Sequence, residues 1–316
     1  MRQPRWAAGL ILALALVAGA CGSDDPAIDT GQEGTTTTSD SLAAPTFEAG
    51  TTMAAIQEKG TLVVGTKYDQ PGFGLRNPTN QQLEGFDIEI AELIAQQIFG
   101  GTVEEAAGKI EFKEAVSKNR EPFIQNGDVD IVVATYTIND TRKEVVDFAG
   151  PYFVAEQDIM VKNDNADIKS VDDLNDKKVC TVKGSTSEKN LMAKAPDAEV
   201  TLFEGYSQCA EALTDGRVDA VTTDNTILAG LVQASGGAFK LLEAPFSEEP
   251  YGIGLKKGED AWRNFLNDVL EDIYESGQWE EAFESTLGAI GLETPEPPEV
   301  DRYGAADAAE STTTTT

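Results

Sequence analysis

The chain has 316 residues, room for one large domain or two ordinary ones with tails to spare. It carries 24 Lys+Arg against 55 Asp+Glu, a net charge of −31, and no His. That excludes a Ser-His-Asp or Cys-His catalytic set and His metal ligation, and the acidity excludes a phosphate-backbone binder, which needs a basic face. Hydrophobic residues make up 41%, enough for a real core.

Residues 1–20 read as an export signal. Arg2 and Arg5 precede an apolar run, Ala7 to Ala20, that is too short for a comfortable membrane span and fits a signal h-region. The run ends at Ala18-Gly19-Ala20-Cys21, which resembles a bacterial lipobox, with Ala18 where Leu or Val is more usual. Cys21 is then expected to carry lipid and to become the mature N-terminus. The competing reading is an ordinary signal peptide with an incidental Cys. Residues 21–48, with Thr35-Thr36-Thr37-Thr38-Ser39, show no apolar period and are expected to be a disordered linker. Residues 294–316, with Pro295, Pro297, Pro298 and an Ala/Thr end, are expected to be a disordered tail. Cys180 and Cys209 remain as an even pair in an oxidising compartment. A bridge between them, closing a loop of about 30 residues, is favoured over two buried thiols. No metal site is expected, since two Cys without His make a poor zinc site.

Between these ends, Thr61 to Thr66 is a short β-rich run. Gly85-Phe86-Asp87 opens a helix that Asp87 can cap, with Ile90, Leu93, Ile94 and Ile98 on one face and Gly100-Gly101 as the stop. A strand is predicted over Val129 to Ala134 and a helix from near Asp140. From Lys178 the pattern restarts: strand Val179 to Val182, turn Gly184 to Ser187, helix Glu188 to Ala193, strand Val200 to Phe203, helix Gln208 to Thr214, strand Ala220 to Thr222. Strands alternating with helices indicate α/β layers with mostly parallel sheets. Two such blocks in about 240 residues suggest two lobes. Val154 to Ile159 and Glu249 to Ile253 read as strands that cross between them. The first lobe is then 49–156 plus 251–293, closed by helices around Ala261 to Tyr274 and Trp279 to Phe283, and the second is 157–250.

Four stretches in register carry a resemblance: Gly85-Phe86-Asp87-Ile88-Glu89-Ile90-Ala91; Asn126 to Ile131 running into Thr135 to Lys143 and Asp147 to Phe153; Val182-Lys183-Gly184-Ser185-Thr186-Ser187-Glu188; and Gly216 to Val221 leading to Asp224. Over residues 50–290 the chain resembles the family 3 extracellular solute-binding proteins, the polar amino-acid receptors of ABC importers. The Lys67-Tyr68-Asp69-Gln70-Pro71-Gly72 segment looks most like the glutamate-binding lipoproteins of high-GC Gram-positive bacteria. The resemblance implies a two-lobed periplasmic-binding-protein-like fold of type II with two crossover hinge strands.

An amino acid offers three handles. For its α-carboxylate, Arg142 lies in the first turn of a helix after a strand end, where ligands of open α/β sheets bind, and its fork suits a carboxylate. The family gives its matching Arg this role, with Thr135 and Thr137 beside it. Ser185 and Thr186 offer N–H groups at a helix N-terminus from the opposite lobe. Asp224 matches the family's ammonium-binding acid, the bland alternative being a helix cap. Lys67 stands where glutamine-binding relatives have an Asp and glutamate-binding relatives an Arg. It can only donate, which favours a side-chain carboxylate over an amide. Ser117 and Arg120 match positions that assist acidic side chains in that branch. Tyr206 and Phe73 are further candidates, to close the site and to pack on the ligand's methylenes.

These readings converge on a monomeric lipoprotein, anchored through Cys21 to the outer face of the cell membrane. It would bind glutamate or aspartate by hinge closure and deliver it to an ABC permease with a cytoplasmic ATPase. No cofactor, nucleic-acid partner or enzymatic activity is expected, since no P-loop or nucleophile elbow appears. Alternatives are a glutamine or asparagine receptor, a sensor that docks on a kinase ectodomain, a dehydratase-like enzyme on this fold, and a surface adhesin.

Overall fold

A computed structural model describes residues 41–303, so the export signal, Cys21, most of the linker and residues 304–316 lie outside the described residues. In chain order the elements are α1 Thr52–Lys59, β1 Leu62–Thr66, β2 Asp69–Gln70, β3 Gly74–Arg76, β4 Leu83–Glu84, α2 Phe86–Phe99, α3 Val103–Ala107, β5 Ile110–Glu114, α4 Arg120–Asn126, β6 Ile131–Val132, α5 Asp140–Lys143 and β7 Val146–Lys162. There follow β8 Lys178–Val182, α6 Thr186–Lys194, β9 Glu199–Phe203, α7 Tyr206–Thr214, β10 Ala220–Asp224, α8 Asn225–Ala234, β11 Phe239–Leu241, β12 Ser247–Lys256, α9 Asp260–Glu275 and α10 Gln278–Thr286.

The α/β alternation expected from the sequence builds two lobes that share one sheet, ordered β5-β1-β6-β12-β7-β10-β8-β9, with β11 also on β7. In the first lobe β5, β1 and β6 pair in parallel. In the second, β9, β8 and β10 do the same. The connection is β7, whose 17 residues at ~3.3 Å each reach about 55 Å. Its first part pairs antiparallel with β12, and its last part with β10 and β11. The two crossing segments read from the sequence are neighbours, Ala155 opposite Glu249 and Val154 opposite Pro250.

One buried cluster runs through both lobes. An aromatic cluster of Phe73, Phe86, Phe153, Tyr251 and Phe283 fills the first, with Phe86 edge-on to Phe73, Phe153 and Phe283. Ile159, Val161, Leu174, Val179, Leu191 and Ala220 form a separate cluster in the second. Cys180 of β8 is bridged to Cys209 of α7. By the chain-entropy account a loop of this size contributes about 3 kcal/mol.

Several local readings change. The N-cap of α2 is Gly85, at φ 123°, where an added Cβ would sit 2.4 Å from the Phe73 carbonyl oxygen. Asp87 is therefore not the cap: it is buried one residue inside the helix and accepts the Tyr152 hydroxyl at 2.6 Å. The strand expected over 129–134 shortens to Ile131–Val132, because the chain leaves the sheet at Thr135, at φ 46°. The stretches expected to be disordered stay mostly exposed where they are described, but single residues touch the first lobe. Leu42 bridges to Gly101, and Phe47 meets the Phe265 ring. Towards the other end, Asp301 N–H donates to Gly150, and the Tyr303 hydroxyl accepts the Phe148 N–H at 2.7 Å. These segments lack an apolar period because single anchors hold them, not a buried face.

Candidate functional site

A narrow polar cavity lies between the lobes. The first lobe contributes Ser117, Arg120, Thr135, Thr137 and Arg142 to its wall; the second contributes Ser185, Thr186, Ser187, Tyr206, Asp224 and Ile227.

Arg142 is fixed from several sides. Asn139 caps the short α5 by accepting the Arg142 backbone N–H at 3.0 Å. The guanidinium donates through Nη1 to the Thr137 carbonyl at 2.7 Å, pairs through Nε with Glu121 at 3.2 Å, and reaches Gly184 of the second lobe through Nη2 at 3.4 Å. Arg120 is different. It is buried, its Nη1 is 3.5 Å from the Thr135 carbonyl, its Nε has no hydrogen-bond partner, and among the described residues no carboxylate lies within ion-pair distance. Both guanidiniums lie over the Tyr136 ring, at 5.1 Å for Arg120 and 4.7 Å for Arg142. Burial, and then Arg142, disfavour the charge on Arg120. A buried cation without a counter-charge is costly, and an anion entering the cavity would relieve that cost.

The opposite pole is Asp224, the last residue of β10. It makes no side-chain cap on α8; instead its Oδ2 accepts the Tyr251 hydroxyl at 2.6 Å, and its buried Oδ1 is unpartnered. Burial, and then Glu249, push its carboxyl up to about 7. A cation close to Oδ1 would hold it ionised. Thr135 is a β-branched residue in the left-handed region, a conformation that costs on the order of 1–3 kcal/mol and is over-represented at working sites.

Other candidates sit differently from their expected roles. The hydroxyls of Thr137 and Thr186 donate to Glu249 Oε2 at 2.8 and 2.7 Å. The Ser185 hydroxyl donates to the Val182 carbonyl and accepts the Glu188 N–H, so it caps α6. None of these three protons is left for a ligand. What they leave at the cavity are first-turn N–H groups of α6, which have no intrahelical acceptor. Tyr206 lines the cavity, its hydroxyl 3.4 Å from Ser187 Oγ. Phe73 is not at the cavity; it is an interior aromatic, edge-on to Phe86, Phe153 and Tyr251. Lys67 is not on the cavity wall either. It is fully buried, with Nζ 3.2 Å from Asp69 Oδ1.

Sequence reasoning missed Glu249. It is buried on β12 and accepts Thr137 from one lobe and Thr186 and Asn190 from the other, along with Ser247 beside it. A Glu followed by Pro250-Tyr251-Gly252 in a crossing strand was the available signal. Among the described residues no helix is long and apolar enough to cross a membrane, and no group of acids and Cys could hold a metal ion.

Two lobes on a pair of crossing strands, with a polar cavity that opposes two guanidiniums to one carboxylate, are the architecture of a solute-binding protein. The chain belongs to the bacterial extracellular solute-binding proteins, family 3, whose model matches residues 62–289. It is 44% identical over 237 residues to the ABC transporter glutamine-binding protein GlnH of Bacillus subtilis, covering 75% of this chain and 84% of that one. It is 41% identical over 242 residues to the glutamate-binding protein GluB of Corynebacterium glutamicum, covering 75% and 81%. Among solved structures, an ancestral arginine-binding protein bound to glutamine matches with a TM-score of 0.66 at 39% identity, covering 72% of this chain and 98% of that one.

Proposed function

We propose that this chain is the substrate-binding receptor of an ABC amino-acid importer and that its ligand is glutamate. The observation that carries the ligand is Arg120: a buried guanidinium, unpaired among the described residues, in the same cavity as Arg142 and Asp224. An α-amino acid uses one guanidinium and the acid, Arg142 on its carboxylate and Asp224 on its ammonium, with the α6 N-terminus adding donors. Arg120, with Ser117, is then left for a second carboxylate. A glutamate-binding relative at 41% identity supports the reading. The global charge of −31 opposes an acidic ligand. That field is screened over about 8 Å, whereas the guanidiniums act at contact distance in a partly dry cavity.

A second reading, glutamine, is favoured by one observation. Asp69 stands beside Lys67 and offsets its charge, which lowers the preference for an anion. The glutamine-binding relative at 44% identity agrees with it. In either case the protein is not an enzyme: the cavity groups are accounted for by ligation. Cys21 carries the lipid that anchors the monomer outside the membrane, with a permease and its ATPase as partners. Residues 49–156 plus 251–293 and residues 157–250 are the two lobes that close on the ligand.

The test is thermal unfolding of residues 22–316 with glutamate, aspartate, glutamine or asparagine. A ligand at 1,000 times its Kd stabilises by about 4 kcal/mol, several degrees at this size. The larger shift is expected with glutamate. A larger shift with glutamine would move the assignment to the second reading. No shift with any of the four would overturn the receptor reading.

A further inference from the structure

Asp69 belongs to the first lobe, yet its two oxygens face different partners. Oδ1 lies 3.2 Å from the buried ammonium of Lys67. Oδ2 accepts the backbone N–H of Ser207, in the first turn of α7 on the second lobe, at 3.3 Å. The cap residue of α7 is Gly205, which has no side chain to offer, and a Cβ there would come 2.4 Å from Asp69 Oδ2. The carboxylate of one lobe thus caps a helix of the other, and that helix begins with the cavity residue Tyr206.

On the reading of this cleft as an amino-acid site, we propose that Asp69 is a specificity-determining residue: by neutralising Lys67, it restrains the preference for a side-chain carboxylate and lets the site accept an amide. The argument is one of charge and donor count. Lys67 and Arg120 are both buried, and both only donate. Left to themselves, two such cations would strongly favour an anion and penalise a neutral amide, which leaves charge uncompensated. Asp69 offsets one of the two charges, and Arg120, which lines the cavity, acts on Lys67 through charge. The other oxygen of Asp69 rests on α7 of the second lobe, so the same carboxylate also ties the two lobes together. Selectivity and closure are joined in this residue.

The test compares the ratio of glutamine Kd to glutamate Kd, by calorimetry, in the wild type, Asp69→Asn and Lys67→Met. Asn keeps an acceptor for the Ser207 N–H while removing the charge, so the ratio is expected to rise at least tenfold. Met removes the cation and leaves Asp69, so the ratio is expected to fall at least tenfold. The second variant decides the matter if the first does not fold, and melting curves check both. A ratio within twofold of the wild type in the folded variants would overturn the proposal while leaving the receptor reading intact. A wild type that binds neither amino acid would overturn both.

Discussion

Asp224 holds a proton up to about pH 7 because burial, with Glu249 nearby, makes its charge costly. An ammonium ligand needs the carboxylate, so binding lowers that pKa and below about pH 7 must expel a proton. Affinity should therefore rise with pH from about 5 to 7 and level off above. Calorimetry at pH 6 in buffers of different ionisation enthalpy is expected to report net proton release; equal heats in all buffers would remove Asp224 from the ammonium site. That Arg142 and Asp224 would stand on the cavity wall was legible in the sequence, because one lies after a strand and the other ends one, where side chains of α/β sheets face ligands. The roles of Asp69 and Glu249 were not, because each acts on residues more than 100 positions away, Ser207 at 138 and Thr137 at 112. Lys67 was read as a donor at the cleft edge; it lies off the cavity wall, beside an acid two residues on.

At the scale of elements, the crossing strands do more than connect. Glu249 on β12 receives hydroxyls from Thr137 and Thr186, one from each lobe, through a single oxygen. Removing it leaves two partly buried hydroxyls without their acceptor, a loss of about 1–3 kcal/mol in the closed form. Glu249→Ala should weaken amino-acid binding about tenfold or more, mainly through faster release, as stopped-flow fluorescence would record; an unchanged release rate would reduce Glu249 to a local fold contact. The alternating strands and helices were readable from periodicity and capping residues. Element ends were less so: β6 stops early because Thr135 turns out of the sheet to form the cavity wall. The segment 294–303 was unreadable for the opposite reason. Its hold is a few side chains, Arg302 on Asp268 and Glu271 and Tyr303 between Lys143 and Arg263. Ending the chain at Glu293 should cost about 2 kcal/mol, seen as a Tm lower by roughly 4–8 °C; an unchanged Tm would show the segment to be passive.

For the molecule as a whole, the large negative charge coexists with acids whose protons are held by burial. Asp87 is pushed up to about 7 by desolvation, against the opposing effect of the Tyr152 hydroxyl. A carboxyl raised in the folded state binds more protons there than in the unfolded chain. Its contribution to stability is fully present below about pH 4 and is lost as pH rises through about 7. Asp87→Asn, which keeps an oxygen for Tyr152, should flatten the fall in Tm between pH 4 and 7 and raise Tm above pH 7. A wild-type slope in that variant would mean that other acids, such as Glu92, also pushed up to about 7, govern the window.

Both described ends of the chain rest on the same lobe: Leu42 bridges to Gly101 beside α2, and Tyr303 lies against the start of β7. Neither described end lies in the second lobe, and the chain enters and leaves that lobe along the crossing strands. On the proposed closure, the first lobe is the stator of the device and the second its rotor. A surface, bead or reporter attached at either end loads only the stator and leaves the stroke unhindered. A probe meant to read the stroke has to be placed within the rotor, at an exposed position such as Met192 on α6.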